Sequence, residues 1–154
     1  MFTIRPLDGN ILTNNVRRRV FCLRNIKAQK FSLFLDSINK PLEQGNVNDS
    51  DFFVLKEETF QVIAMFTHDG ESVTVFSVDF GSAISGGNRH LILDKLNELN
   101  TKYTQLKFVI SAESFVQVLS FIDASQAFEP KTVLDLMVIS AQVLKDELAS
   151  LMNS

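Results

Sequence analysis

The chain has 154 residues, 45% of them hydrophobic and 21% charged, with 14 Phe, one Tyr and no Trp. That is enough for one domain with a substantial core, far from the disordered class. Phe carries bulk without a polar handle, so the aromatic content reads as core filling and not as a carbohydrate or polar-ligand platform. The net charge of −3 is unevenly spread: residues 1–30 hold seven bases and one acid, and the remainder holds eight bases and seventeen acids. A basic segment of this kind fits either an anionic partner or packing against the acidic body. The acidic remainder argues against broad nucleic-acid binding. No apolar run approaches the roughly 18 residues of a membrane helix. Met1 to Arg19 lacks the apolar core of a secretory signal, and the lone Cys22 has no internal disulfide partner. A cytoplasmic protein with no membrane contact is the expectation.

The first 25 residues form a basic N-terminal segment, distinct from a single domain over 26–154. Phe2-Thr3-Ile4 and Val16 to Leu23 can form a strand pair about Asp8-Gly9-Asn10, or the segment can be an arm. Ala28, Phe31, Leu35, Ile38 and Leu42 then follow helical spacing, and Asn39-Lys40-Pro41 ends that helix. Glu43 to Asp51 is polar and reads as a loop. Three strands come next: Phe52 to Glu57, Phe60 to Thr67 and Ser72 to Phe80. The last two join at Asp69-Gly70, a strong hairpin signal. Gly81 to Asn88 is a small-residue loop, with Asn88 placed to cap a helix over Arg89 to Tyr103. Leu106 to Ser111 and Ser114 to Ile122 make two further strands around Ala112-Glu113. Pro130 suits the first turn of a closing helix that runs to about Met152. The fold class is therefore α+β: an antiparallel sheet of about five strands with helices, in the order α-βββ-α-ββ-α.

Little in this pattern resembles chemistry. Gly81 to Asn88 lacks the Lys-Ser/Thr of a phosphate loop and the glycine spacing of a dinucleotide fingerprint. His68 and His90 are too few for a metal site, and Cys22, between Phe21 and Leu23, reads as a buried thiol. The acid pairs Glu57-Glu58 and Asp146-Glu147 sit where a solvated turn or helix face is expected. No catalytic residue, cofactor or metal is assigned, and the chain is read as a non-enzyme.

Two features point instead to binding. Arg17, Arg18 and Arg19 can contact phosphates or carboxylates, although a strand would put Arg18 on the opposite face from its neighbours. The closing helix carries a seam of Leu134, Met137, Ala141, Leu144, Leu148 and Leu151. Beside it lies a second stripe of Leu136, Ile139 and Val143. One stripe serves the sheet; the second needs the first helix or a partner as its cover. That makes Leu136, Ile139 and Val143 the candidate partner interface, and a homodimer is one form it can take.

Leu96-Asn97-Glu98-Leu99-Asn100, the strands Leu106–Ile110 and Phe115–Phe121, Phe128-Glu129-Pro130 and Asp51-Phe52-Phe53-Val54 carry a family resemblance. From about Phe31 onward, roughly four-fifths of the chain, their order resembles the YbjN family, whose members share the fold of type III secretion chaperones. The resemblance implies an α/β sandwich that often dimerises and a chaperone-like or regulatory binding role. It brings no catalytic residues. The expected function is a protein-interaction module for another, unidentified polypeptide. The alternative is a nucleic-acid-associated or phage-type accessory protein that uses the basic N-terminal segment.

Overall fold

A computed structural model of the chain describes Leu23 and residues 25–152. Among them six strands form one antiparallel sheet: β1 (Glu43–Val47), β2 (Ser50–Lys56), β3 (Gln61–Phe66), β4 (Ser72–Val78), β5 (Lys107–Ile110) and β6 (Val116–Asp123). Their order across the sheet is β1-β2-β3-β4-β6-β5. Helix α1 (Ile26–Ser37) precedes β1, α2 (Arg89–Lys102) joins β4 to β5, and α3 (Pro130–Val143) follows β6. The α+β class and the order of helices are those expected from the sequence. The strand count is six rather than about five.

The extra strand is β1, expected to be a loop because Glu43-Gln44-Gly45-Asn46 is polar. Its pairing is set by the turn. Asn48 and Asp49 both adopt positive φ, at 48° and 66°. That conformation suits Asn and Asp best after glycine and matches the twist of a two-residue hairpin. Every residue from Glu43 to Val47 then pairs with β2, Val47 opposite Ser50 and Glu43 opposite Val54. The Asp69-Gly70 turn is as expected, with Gly70 at φ 75°.

Strand alternation divides the apolar residues between two faces. Phe53, Val62, Ala64, Phe66, Val73, Val75, Val116 and Val118 join the helices in the main core. Phe31 of α1 stands edge-on to Phe53 at 4.7 Å and lies 5.7 Å from Phe66, which meets Phe128 at 5.9 Å. On the opposite face Phe52, Val54 and Ile63 form a smaller buried cluster with Met65, Phe76 and Val78. Phe80, expected as the last residue of β4, lies beyond the end of that strand and packs edge-on against Phe60 in the main core.

Helix α1 is fastened at its N-terminus. Asn25 Oδ1 accepts from the N–H groups of Lys27 (2.7 Å) and Ala28 (3.3 Å), an N-cap that satisfies donors a helix leaves open. Asn25 Nδ2 donates to Thr67 C=O at 3.0 Å, and Lys27 Nζ donates to the carbonyls of Gly70 and Ala124. At the other end of the chain, α3 passes into a π turn (Leu144–Leu148) and a last α-helical turn (Ala149–Met152). The seam expected on this helix is buried at Leu134, Met137, Ala141, Leu144 and Leu148, while Leu151 is half-buried and Met152 takes its place in the core. The residue added by the π turn retards the rotation of the helix, which brings Met152 inward.

Candidate functional site

The two ladders that share β6 differ in extent. With β5 the pairing runs only from Ile110–Val116 to Lys107–Leu119. With β4 it runs from Phe76–Leu119 on to Ser72–Asp123. Hydrogen bonds fix which way each residue of β6 faces. Val118 N–H donates to Ser77 Oγ at 3.0 Å, and Ala124 N–H donates to Glu71 C=O at 2.8 Å, so the even-numbered residues turn their backbone groups to β4. Ser111 N–H donates to Phe115 C=O at 2.8 Å, so the odd-numbered residues face the β5 side. Phe121 and Asp123 are odd-numbered and lie past the last β5 pair. Among the described residues no strand pairs with their N–H and C=O groups.

A groove of about 790 Å³ runs along this open edge. Its floor is Ser120, Phe121 and Ile122 of β6; Thr104 and Gln105 close one end; and Leu134, Leu136 and Ile139 of α3 form the long wall. Ser120 Oγ donates to Gln105 C=O at 2.8 Å, which holds the end wall against the floor. A smaller recess of about 420 Å³ continues past Phe121 to Leu119 and Lys107. Phe121 is 71% exposed, the most exposed of the large apolar residues described. Leaving an aromatic ring in water forfeits on the order of 1.5–3 kcal/mol of burial, a cost that a bound apolar surface would recover.

Of the second stripe on the closing helix, Leu136 and Ile139 line this groove, whereas Val143 is 4% exposed and belongs to the core. Helix α1 therefore leaves the stripe partly uncovered. Phe121, Thr104 and Gln105 were not singled out from the sequence. Their signal is the mismatch between a four-residue β5 and an eight-residue β6, which becomes visible only with the register.

The remaining sequence candidates do not converge. Arg17, Arg18, Arg19 and Cys22 lie outside the described residues. His68 and His90 are exposed, one in the β3–β4 turn and the other at the start of α2. Among the described residues no three His, Cys, Asp or Glu side chains gather as metal ligands, and no helix is long and apolar enough to cross a membrane. Asn88 occupies the N-cap position of α2, but its side chain accepts from Ser85 Oγ and caps nothing.

The two acid pairs are divided rather than coupled. Glu57 accepts from Lys145 Nζ at 3.2 Å, and Glu147 accepts from Tyr103 Oη at 2.9 Å and Lys102 Nζ at 3.1 Å. Glu58 and Asp146 are exposed. Burial pushes the Glu147 carboxyl up, but the Tyr103 hydroxyl and the Lys102 ammonium outweigh it and hold the group below its usual range. At the far end of β6 the Ser125 hydroxyl and N–H likewise hold Asp123 below the ordinary carboxylate value. These are structural clasps.

No protein family model and no curated protein matches the sequence. Two solved structures are similar in fold. One is a chain of the ExsC–ExsE complex, at 14% identity and a TM-score of 0.54, covering 84% of this chain and 97% of that one. The other is a chain of the HopA1–SchA chaperone–effector complex, at 10% identity and a TM-score of 0.53, covering 91% of this chain and 96% of that one. The chain thus shares a fold found in a chaperone–effector complex, in line with the chaperone-like fold the sequence resemblance implied; membership of the YbjN family does not follow from these likenesses.

Proposed function

We propose that this protein is a non-enzymatic interaction module that holds another polypeptide in a chaperone-like or regulatory role in the cytoplasm. The observation that carries the reading is the groove: apolar side chains of α3 and β6 stand beside an unpaired strand edge, and polypeptide chemistry can satisfy both. The fold likeness to a chain of a chaperone–effector complex supports it. A nucleic-acid role finds less support, because residues 25–152 carry ten bases against seventeen acids.

The test is substitution of the wall. Leu136→Asp with Ile139→Asp should abolish capture of polypeptide ligands that survives high salt. Both positions are half-buried against the core, so each substitution alone should lower stability by about 1–2 kcal/mol. Retention of binding by the doubly substituted, folded protein would sink the proposal. Salt-sensitive binding of DNA or RNA, lost when Arg17, Arg18 and Arg19 become Ala, would replace it with the nucleic-acid reading.

A further inference from the structure

We infer that residues 1–22 are the cover of the outer sheet face, a second layer over Phe52, Val54 and Ile63 supplied by the same chain. The inference is independent of the groove. It starts from two rings on one face. Phe52 pairs with Met65, Met65 with Thr74 and Thr74 with Phe121, so both rings stand in a single cross-strand row. Phe121 is 71% exposed, whereas Phe52 and Ile63 are 0% exposed and Val54 is 2% exposed. Side chains stand roughly perpendicular to a sheet, so lateral neighbours leave their tips open. Only a second layer, about 10 Å away, seals them.

The described elements do not supply that layer. Every described hydrophobic residue packed on the outer cluster (Val47, Met65, Phe76 and Val78) belongs to the sheet itself. The buried apolar residues of the three helices gather on the other face, in the main core. These exposures belong to a single chain, so the cover comes from that chain. Met152, the last described residue, packs beside Gly81 and belongs to the main core, which leaves the N-terminal residues.

Reach and charge agree with this placement. Asn25 N–H donates to Asp51 Oδ2 at 2.8 Å, so α1 starts at the sheet end where Asp51 pairs with Phe66. Phe52, the next residue of β2, opens the outer cluster. Residues 1–22 can reach about 70 Å when extended, against about 15 Å from β1 to β4. They include Phe2, Ile4, Ile11, Leu12, Val16 and Val20. The turns and strand ends at that end of the sheet carry Asp49, Asp51, Asp69, Glu71 and Asp123. The chain keeps Arg17, Arg18 and Arg19 within about 20 Å of Leu23, where these acids attract them. The three arginines thereby become a clasp for the cover.

Nuclear Overhauser spectra of the full chain test the placement. Ile63 methyl groups should contact side chains of residues 1–22 within one molecule. Absence of such contacts would overturn the inference. Contacts between labelled and unlabelled chains in a mixed sample would make a second copy the cover and overturn it too. Trypsin gives an independent measurement on the native protein. Met65→Glu places a charge at a half-buried outer position and should speed cleavage after Arg17, Arg18 and Arg19 about tenfold or more. Leu33→Glu, on the exposed side of α1, should leave that rate unchanged. Equal rates for Met65→Glu and the unaltered protein would remove the cover. If Met65→Glu fails to fold, the Overhauser contacts of the unaltered protein decide alone.

Discussion

At the β1 end of the sheet all five residues of the outermost strand are paired to β2, and α1 lies over the neighbouring strands, bound to them by Asn25, Lys27 and a cluster of Phe rings. At the β5 end the outermost strand pairs with only half of β6, and the helix beside the uncovered half faces it across an open groove. Both ends are built from the same kinds of apolar residue. What separates them is packing: at the first end the helix closes on the sheet through rings and side-chain hydrogen bonds, and at the second the helix stands off a strand whose last residues lie beyond the β5 ladder. The first end should therefore govern stability and the second should govern binding, and each can be perturbed separately.

The largest expected effect is at the closed end. Phe31 is fully buried and touches the rings of Phe53 and Phe66. Phe31→Ala should cost about 3–5 kcal/mol, read as a lower urea midpoint at unchanged slope. A loss below about 1 kcal/mol would show that this end is not the stabilising one. A smaller effect of opposite sign is expected on β1. Gln44 is 4% exposed, and among the described residues neither Nε2 nor Oε1 of its side chain has a hydrogen-bond partner. Gln44→Met keeps the volume and removes that penalty, so stability should rise by about 1 kcal/mol. A fall in the midpoint would show that the carboxamide is satisfied after all.

The smallest effect concerns pH. Glu147 is held below its usual pKa, so its contribution to stability is present above the unfolded-state value and is lost as pH falls through the lower folded value. Glu147→Gln should flatten the acid limb of a plot of stability against pH and leave its alkaline limb unchanged. An unchanged acid limb would mean that Tyr103 and Lys102 do not stabilise the charged form. In no case should these three substitutions alter ligand selection at the groove.

Much of the closed end was legible in the sequence. Alternation across Phe60 to Thr67, the Asp69-Gly70 turn and the helical spacing of Phe31 and Leu35 are local signals with local causes. β1 escaped because its residues are polar and its pairing depends on Asn48 and Asp49 accepting left-handed geometry, which no apolar period announces. The groove was half legible. Leu136 and Ile139 stood out as surplus apolar surface on α3, but Val143 was grouped with them by spacing alone and is core. Phe121 read as one more strand residue, because its exposure depends on where β5 stops, and the relative lengths of two ladders are a property of long-range register.

The π turn in the closing helix carries a historical implication. Ala149 N–H reaches back to Leu144 C=O, so this stretch holds one residue more than an α-helical turn between points fixed on both sides. Leu144 and Leu148 are sealed in the core, Glu147 is tied to Tyr103, and Met152 Cε lies 3.1 Å from where a side chain on Gly81 would begin. A segment anchored that way can absorb an inserted residue as a bulge without moving its ends. Removing one residue would restore an ordinary helix between the same anchors. The loop it presses against, Gly81 to Asn88, is held as well, since Ile84 packs on the core and its N–H donates to Ser114 C=O at 2.7 Å.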